Sequence, residues 1–144
     1  MTSDVNSHNR ASRERLASVI QRVGDRVIEV EGGWTASALL AHIAFWDRLA
    51  TVRLEKYLRD GETPVTAPPA LTDLTNGAGM RQWVDTPAGV AAAQAKDAAA
   101  AIDKLVEALP DDTFAAIKAM GRHFIYDRSL HRKEHLDQIE RALR

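Results

Sequence analysis

The chain has no cysteine, which excludes disulfides, thiolate metal ligands and a cysteine nucleophile. Any metal it binds must be held by histidine or carboxylate. No apolar run approaches the roughly 18 residues of a membrane span, and the opening stretch MTSDVNSHNRASRER lacks the apolar segment of a secretory signal. A cytoplasmic protein with no membrane partner is the expectation. An excess of one charge is missing too. Nineteen Lys and Arg stand against twenty Asp and Glu, giving a formal net charge of −1. The two signs are interspersed, so there is no basic stripe to neutralise phosphates and a nucleic-acid partner is not expected. Strand signals are nearly absent, because no stretch alternates apolar and polar residues between turn residues. What remains is an ordinary globular composition, 45% apolar and 27% charged over 144 residues. That is enough to bury a core without staples, and a single domain over residues 1–144 is expected.

The apolar residues recur at helical spacing. Between Ser7 and Val30, the residues Leu16, Val19, Ile20, Val23 and Val27 follow three- and four-residue steps, predicting an amphipathic helix ended by Gly32 and Gly33. Thr35 is positioned to cap a second helix, ASALLAHIAFWDRLATVRLEKYLRD, that runs to Gly61. Residues 62–85 hold three of the five prolines and two glycines. They predict a long connection, with one short helix around Met80 to Trp83. Thr86 and Pro87 predict the start of a third helix, whose stripe of Ala91, Ala95, Ala98, Ile102, Leu105 and Leu109 ends at Pro110. DDTFAAIKAMG predicts a connection with one or two helical turns, and a fourth helix is expected from Arg122 to Leu143. The fold class is therefore all-α, a four-helix bundle. The 24-residue connection, at about 3.3 Å per residue when extended, is long enough for a crossover, but spacing leaves that topology open against up-down-up-down.

Of the five histidines, His131 and His135 in HRKEH lie one helical turn apart. Steps of about 100° put them roughly 40° apart, beside an apolar arc of Phe124, Ile125, Leu136, Ile139, Ala142 and Leu143. Two neutral imidazoles on adjacent turns can reach one ion at about 2.0 to 2.1 Å, and burial favours the neutral form. His42, in LLAHIAFW, is flanked by Leu39, Phe45, Trp46 and Leu49 and needs a partner there. It lies about eight residues into its helix, and His131 and His135 about nine and thirteen into theirs, so the three heights can match in either topology. His42, His131 and His135 are thus the candidate metal ligands. The competing reading has them bonded to carbonyls or water in the core.

Other candidates carry weaker signals. His123 and Asp127 continue the ladder below His131 but turn away from the apolar centre. His123 is read as surface or rim, and Asp127 as a solvated carboxylate or, alternatively, an acceptor fixing a ligand's tautomer. With Glu134, HRKEH matches the H-x-x-E-H pattern of inverted zinc proteases, but only nine residues follow His135, too few for their downstream carboxylate ligand. His8 sits in a polar arm away from these groups. Trp34, Trp46 and Trp83 fit core packing or a cleft wall. Arg53, on the His42 side of its helix, fits either an anionic substrate or a surface acid.

Two segments carry a family resemblance. GGWTASALLAHIAFWDRL resembles the W-[ST]-x-x-x-L-x-H-[IL]-x-x-W opening of the second helix in the DinB-like family of damage-inducible proteins, and SLHRKEHLDQIERAL resembles that family's closing H-x-x-x-H helix. The resemblance extends to layout, with a proline-bearing crossover and a third helix ending in Leu-Pro. It implies an up-down-down-up bundle with a long crossover between helices two and three. It also implies a divalent metal, zinc or nickel, on His42, His131 and His135, and a homodimer. Related members include mycothiol-dependent maleylpyruvate isomerases and bacillithiol S-transferases.

Three nitrogen ligands leave a coordination position open, as in catalytic rather than structural sites. The expected function is metal-dependent thiol transfer or hydrolysis of a small-molecule substrate, the ion activating water or a low-molecular-weight thiol. The alternative is a non-catalytic helical module with structural histidines, dimerising through Tyr126, Leu130 and other apolar residues off the core arc.

Overall fold

A computed structural model of the protein describes residues 2–144, and these are predominantly helical. The helices are α1 (Thr2–Val23), α2 (Ala36–Asp60), α3 (Pro69–Trp83), α4 (Ala88–Glu107), α5 (Asp111–Ala119) and α6 (Ser129–Ala142). Among the described residues, no helix is long and apolar enough to cross a membrane.

Helix α1 stops seven residues earlier than the apolar spacing suggests. Gly24 takes a left-handed φ of 60° and its N–H returns to the Ile20 carbonyl at 2.9 Å, closing the helix. A residue with a Cβ resists that conformation. Val27, one of the stripe residues used to extend the helix, is 83% exposed. Residues Glu29–Val30 (β1) instead pair antiparallel with Trp34–Thr35 (β2) in a minimal hairpin. Gly32 and Gly33, with φ of 81° and 82°, make its turn. The hairpin hands the chain to α2, where the Thr35 hydroxyl accepts from the Ala38 N–H at 3.1 Å, as the cap assignment requires.

The connection after α2 is less open than its prolines suggest. Residues 62–68 form a strap without regular structure, after which α3 runs for 15 residues. Thr86 makes no side-chain cap for the next helix; Pro87 occupies the capping position of α4. The last helix begins at Ser129 rather than Arg122, because residues 123–125 form a 3-10 turn. The Asp127 carboxylate accepts from the Ser129 N–H at 3.0 Å and from its hydroxyl, and so sets the new start.

Helix α4 packs against α2 and α1, while α6 packs against α1 and α2. These four form a bundle with α1 and α2 at opposite corners, and α3 lies on α2 outside it. The apolar interior divides into two clusters. One is built around Leu16, Val19, Leu39, Leu40, Ile43, Leu136 and Ile139. The other gathers Leu54, Ile102, Val106, Phe114, Ile117 and Ile125. Tyr126 belongs to the second cluster, packed edge-on against Phe114 with ring centroids 5.1 Å apart. It is buried, so it cannot serve the outward dimerising face expected of it; Leu130 is exposed.

Between the clusters lies a buried polar layer that hydrophobic periodicity does not reveal. Asp47, Asp103 and Arg132 are fully buried. Arg132 donates to Asp47 at 3.1 Å and to both Asp103 oxygens at 2.9 and 3.0 Å. Arg128 donates to the other Asp47 oxygen at 2.8 Å. Burial alone would lower the Arg132 pKa, but the Asp47 and Asp103 charges outweigh it and hold the guanidinium above its ordinary value. Asn9 ties α1 into this layer, donating to the Tyr126 carbonyl and accepting from the Arg128 N–H, each at 2.9 Å.

Candidate metal centre

The three expected histidines converge. His42 comes from the second turn of α2, His131 and His135 from successive turns of α6, and their Nε2 atoms form a triangle with sides of 3.1, 3.0 and 3.2 Å. Hydrogen bonds among the rings cannot satisfy this triangle. Each Nε2 either carries a proton or offers a lone pair, and among three atoms at least two must be alike. Two like atoms at about 3 Å repel. A single cation accepting all three lone pairs removes the conflict. A tetrahedral ion with bonds of about 2.0 to 2.1 Å would want its ligand nitrogens roughly 3.3 Å apart, close to the separations present. The donor set of three imidazoles without thiolate suits zinc, nickel or copper rather than magnesium or calcium.

The surroundings keep the His42 and His131 rings neutral. His42 is buried, and desolvation, followed by His135 and Arg128, pushes its pKa down to about 3. Burial, with Arg128 the first of several cationic or ionisable neighbours, drives His131 well below the usual histidine range. Ring orientation comes from packing. The indole of Trp83 meets His42 edge-on at 5.3 Å and Trp34 does so at 5.4 Å.

Outer contacts differ among the three rings. His135 Nδ1 is 2.8 Å from the Gln138 amide oxygen. That oxygen can only accept, so the proton stays on Nδ1 and the Nε2 lone pair points to the centre. His42 Nδ1 is buried without a hydrogen-bond partner. His131 Nδ1 faces Arg128 Nη2 at 3.2 Å. An arginine only donates, so this contact favours a proton on Nε2, the nitrogen a metal would need. Gln138 and Arg128 were not identified from sequence. Both stand three positions from a histidine, Gln138 beyond His135 and Arg128 before His131, a spacing that a helix running from Arg122 would place on the same face.

The triangle forms part of the wall of a cavity of about 590 Å³. His42, Trp46 and Arg53 lie along its α2 side, Pro69, Thr72, Asp73 and Asn76 along its α3 side, and His131, Glu134, His135 and Gln138 along its α6 side. Trp34 and Trp46 therefore do line a cleft, and Trp46 is pinned by donating Nε1–H to Asn76 at 2.8 Å. Trp83 is buried and stacks on Trp34. His8 and His123 are exposed and stand apart from the cluster. Asp127 bonds Ser129 rather than a histidine. Glu134 and Arg53 both reach the cavity.

No curated protein and no solved structure gives a significant match. The sequence profile of the DinB superfamily matches residues 8–136, a span that includes all three histidines, and the chain belongs to that superfamily.

Proposed function

We propose that the protein is a divalent-metal-dependent enzyme acting on a small molecule, with His42, His131 and His135 as the metal ligands. The observation that carries this reading is the Nε2 triangle, which three imidazoles cannot satisfy alone, set in the wall of a cavity large enough for a substrate. A metal held by three nitrogens supplies acidity to a fourth ligand, lowering the pKa of water or a thiol toward neutrality. The chain's own residues do the rest. Gln138 fixes the tautomer of His135. The indoles of Trp34, Trp46 and Trp83 surround His42 and limit access of water to that side. Glu134, a lining carboxylate one residue before His135, is available as a proton acceptor when the nucleophile ionises. With no cysteine in the chain, a sulfur nucleophile would come from outside. The family resemblance directs attention to a low-molecular-weight thiol, with S-transfer or hydrolysis as the reaction, and to a homodimer.

The test is metal quantification on protein purified without a histidine tag. About one zinc or nickel per chain is expected, falling to near zero in His131→Ala. Loaded protein would then be screened with glutathione, mycothiol and bacillithiol against an electrophilic acceptor, beside simple amides and esters. A metal-free wild type, or a variant with unchanged content, contradicts the reading and returns the histidines to a structural role.

A further inference from the structure

Arg53 lines the cavity, and its environment is unusual for a half-buried arginine. It lies eleven residues beyond His42 on α2, three turns along nearly the same face and about 16 Å in helical rise. Its Nε donates to the Val65 carbonyl at 2.8 Å and its guanidinium lies 6.0 Å from the Phe124 ring centre, which together fix its orientation. Among the described residues it makes no ion pair. The charges acting on it after burial itself are Arg128 and Arg122, both cations, and its pKa is lowered as a result. Neither neighbour relieves it. Arg128 is engaged with Asp47, and Arg122 donates to the Pro64 carbonyl at 2.7 Å. The lining carboxylates, Asp73 and Glu134, form no salt bridge with it.

We propose that Arg53 is an anion-recognition residue and that the substrate is an amphipathic carboxylate, its charged end at Arg53 and its apolar body against Trp46 and Phe124. With Nε already bonded, the two Nη groups remain to grip both carboxylate oxygens, the paired geometry in which arginine is strongest. Occupation would also relieve the repulsion among the three arginines. A half-buried cation of this kind is costly without a counter-charge, and the described residues form no ion pair with it. The proposal rests on the cavity taking a small-molecule substrate, as above, but not on a bound metal.

The experiment titrates the purified protein with 4-phenylbutanoate and with its neutral amide, following tryptophan emission. Wild type should bind the carboxylate about tenfold more tightly or better, as a paired charge-assisted contact implies. Arg53→Gln should abolish the preference and Arg53→Lys should restore part of it. His131→Ala should retain it. Equal binding of both probes by wild type, no binding of either at millimolar concentration, or an undiminished preference in Arg53→Gln overturns the proposal. A preference lost in His131→Ala but kept in Arg53→Gln also overturns it, because the metal would then be reading the carboxylate. An Arg53-dependent preference in a protein that binds no metal sustains this inference while removing the metal reading.

Discussion

Arg128 is the residue whose chemistry most directly opposes metal ligation. Its Nη2 sits 3.2 Å from His131 Nδ1, and a ligating imidazole carries its proton on that Nδ1, so two donors would then face each other. Replacing the guanidinium by an amide reverses the sign, because a glutamine oxygen accepts. Arg128→Gln is expected to tighten zinc binding by about tenfold, in line with the scale of outer contacts to metal ligands. The same change should lower folding stability by about 1–3 kcal/mol, since Asp47 loses a buried charged partner while keeping Arg132. Competition titration with a zinc indicator measures the first effect and urea unfolding the second. Unchanged or weaker zinc binding would show that the contact does not compete. At this scale the histidines were legible because two lie one turn apart and all three sit among apolar neighbours. The groups that tune them left only the signal of a three-residue spacing, Gln138 beyond His135 and Arg128 before His131, and each acts on its ring through one hydrogen bond.

At the scale of the element, helices were readable where the sequence supplies its own stripe and cap, as in α2 with Thr35. Helix α3 was not. Its sequence, PALTDLTNGAGMRQW, has no coherent apolar face and two internal glycines, so its stability comes from what it packs on. Trp46 bonds Asn76, and the Trp83 ring folds back over Gly79, where an added Cβ would run into it. Gly79 thus lets Trp83 reach His42. In an exposed helix, Gly→Ala gains about 1 kcal/mol; here overpacking should cost about 1–3 kcal/mol. Gly79→Ala is therefore expected to lower the melting temperature and shift tryptophan emission to the red. A stabilised variant with unchanged emission would mean that Trp83 relocates freely. The misplaced ends of α1 and α6 have a similar origin, because apolar spacing continued past residues, Gly24 and Asp127, that end or start a helix through local backbone bonds.

For the molecule as a whole, the all-α bundle followed from the absence of strand patterning and the length of the apolar stripes. The charged layer dividing its core did not, because periodicity reads Asp47, Asp103 and Arg132 as exceptions on buried faces. That layer matters energetically. Arg15 with Asp137 and Glu140 is an ion-pair group whose side chains are each about 30% exposed, worth at most about 1 kcal/mol. Asp103 is fully buried between Arg132 and Arg13, and removing it leaves a buried cation short of charge. Asp103→Ala should destabilise by about 3–5 kcal/mol, against less than about 1 kcal/mol for Asp137→Ala. Equal effects in chemical denaturation would contradict the role given to the layer. The layer also carries Arg128 and Arg132 on either side of His131, so it sets where the α6 histidines stand.

The central claim, that three imidazoles share one ion, is tested most directly by X-ray absorption on protein loaded with a single equivalent of zinc. The account predicts a first shell of three imidazole nitrogens at about 2.0 to 2.1 Å with one further light atom, and loss of one imidazole in each of His42→Ala, His131→Ala and His135→Ala. A shell of mostly oxygen, or one unchanged by any of the three substitutions, would contradict it.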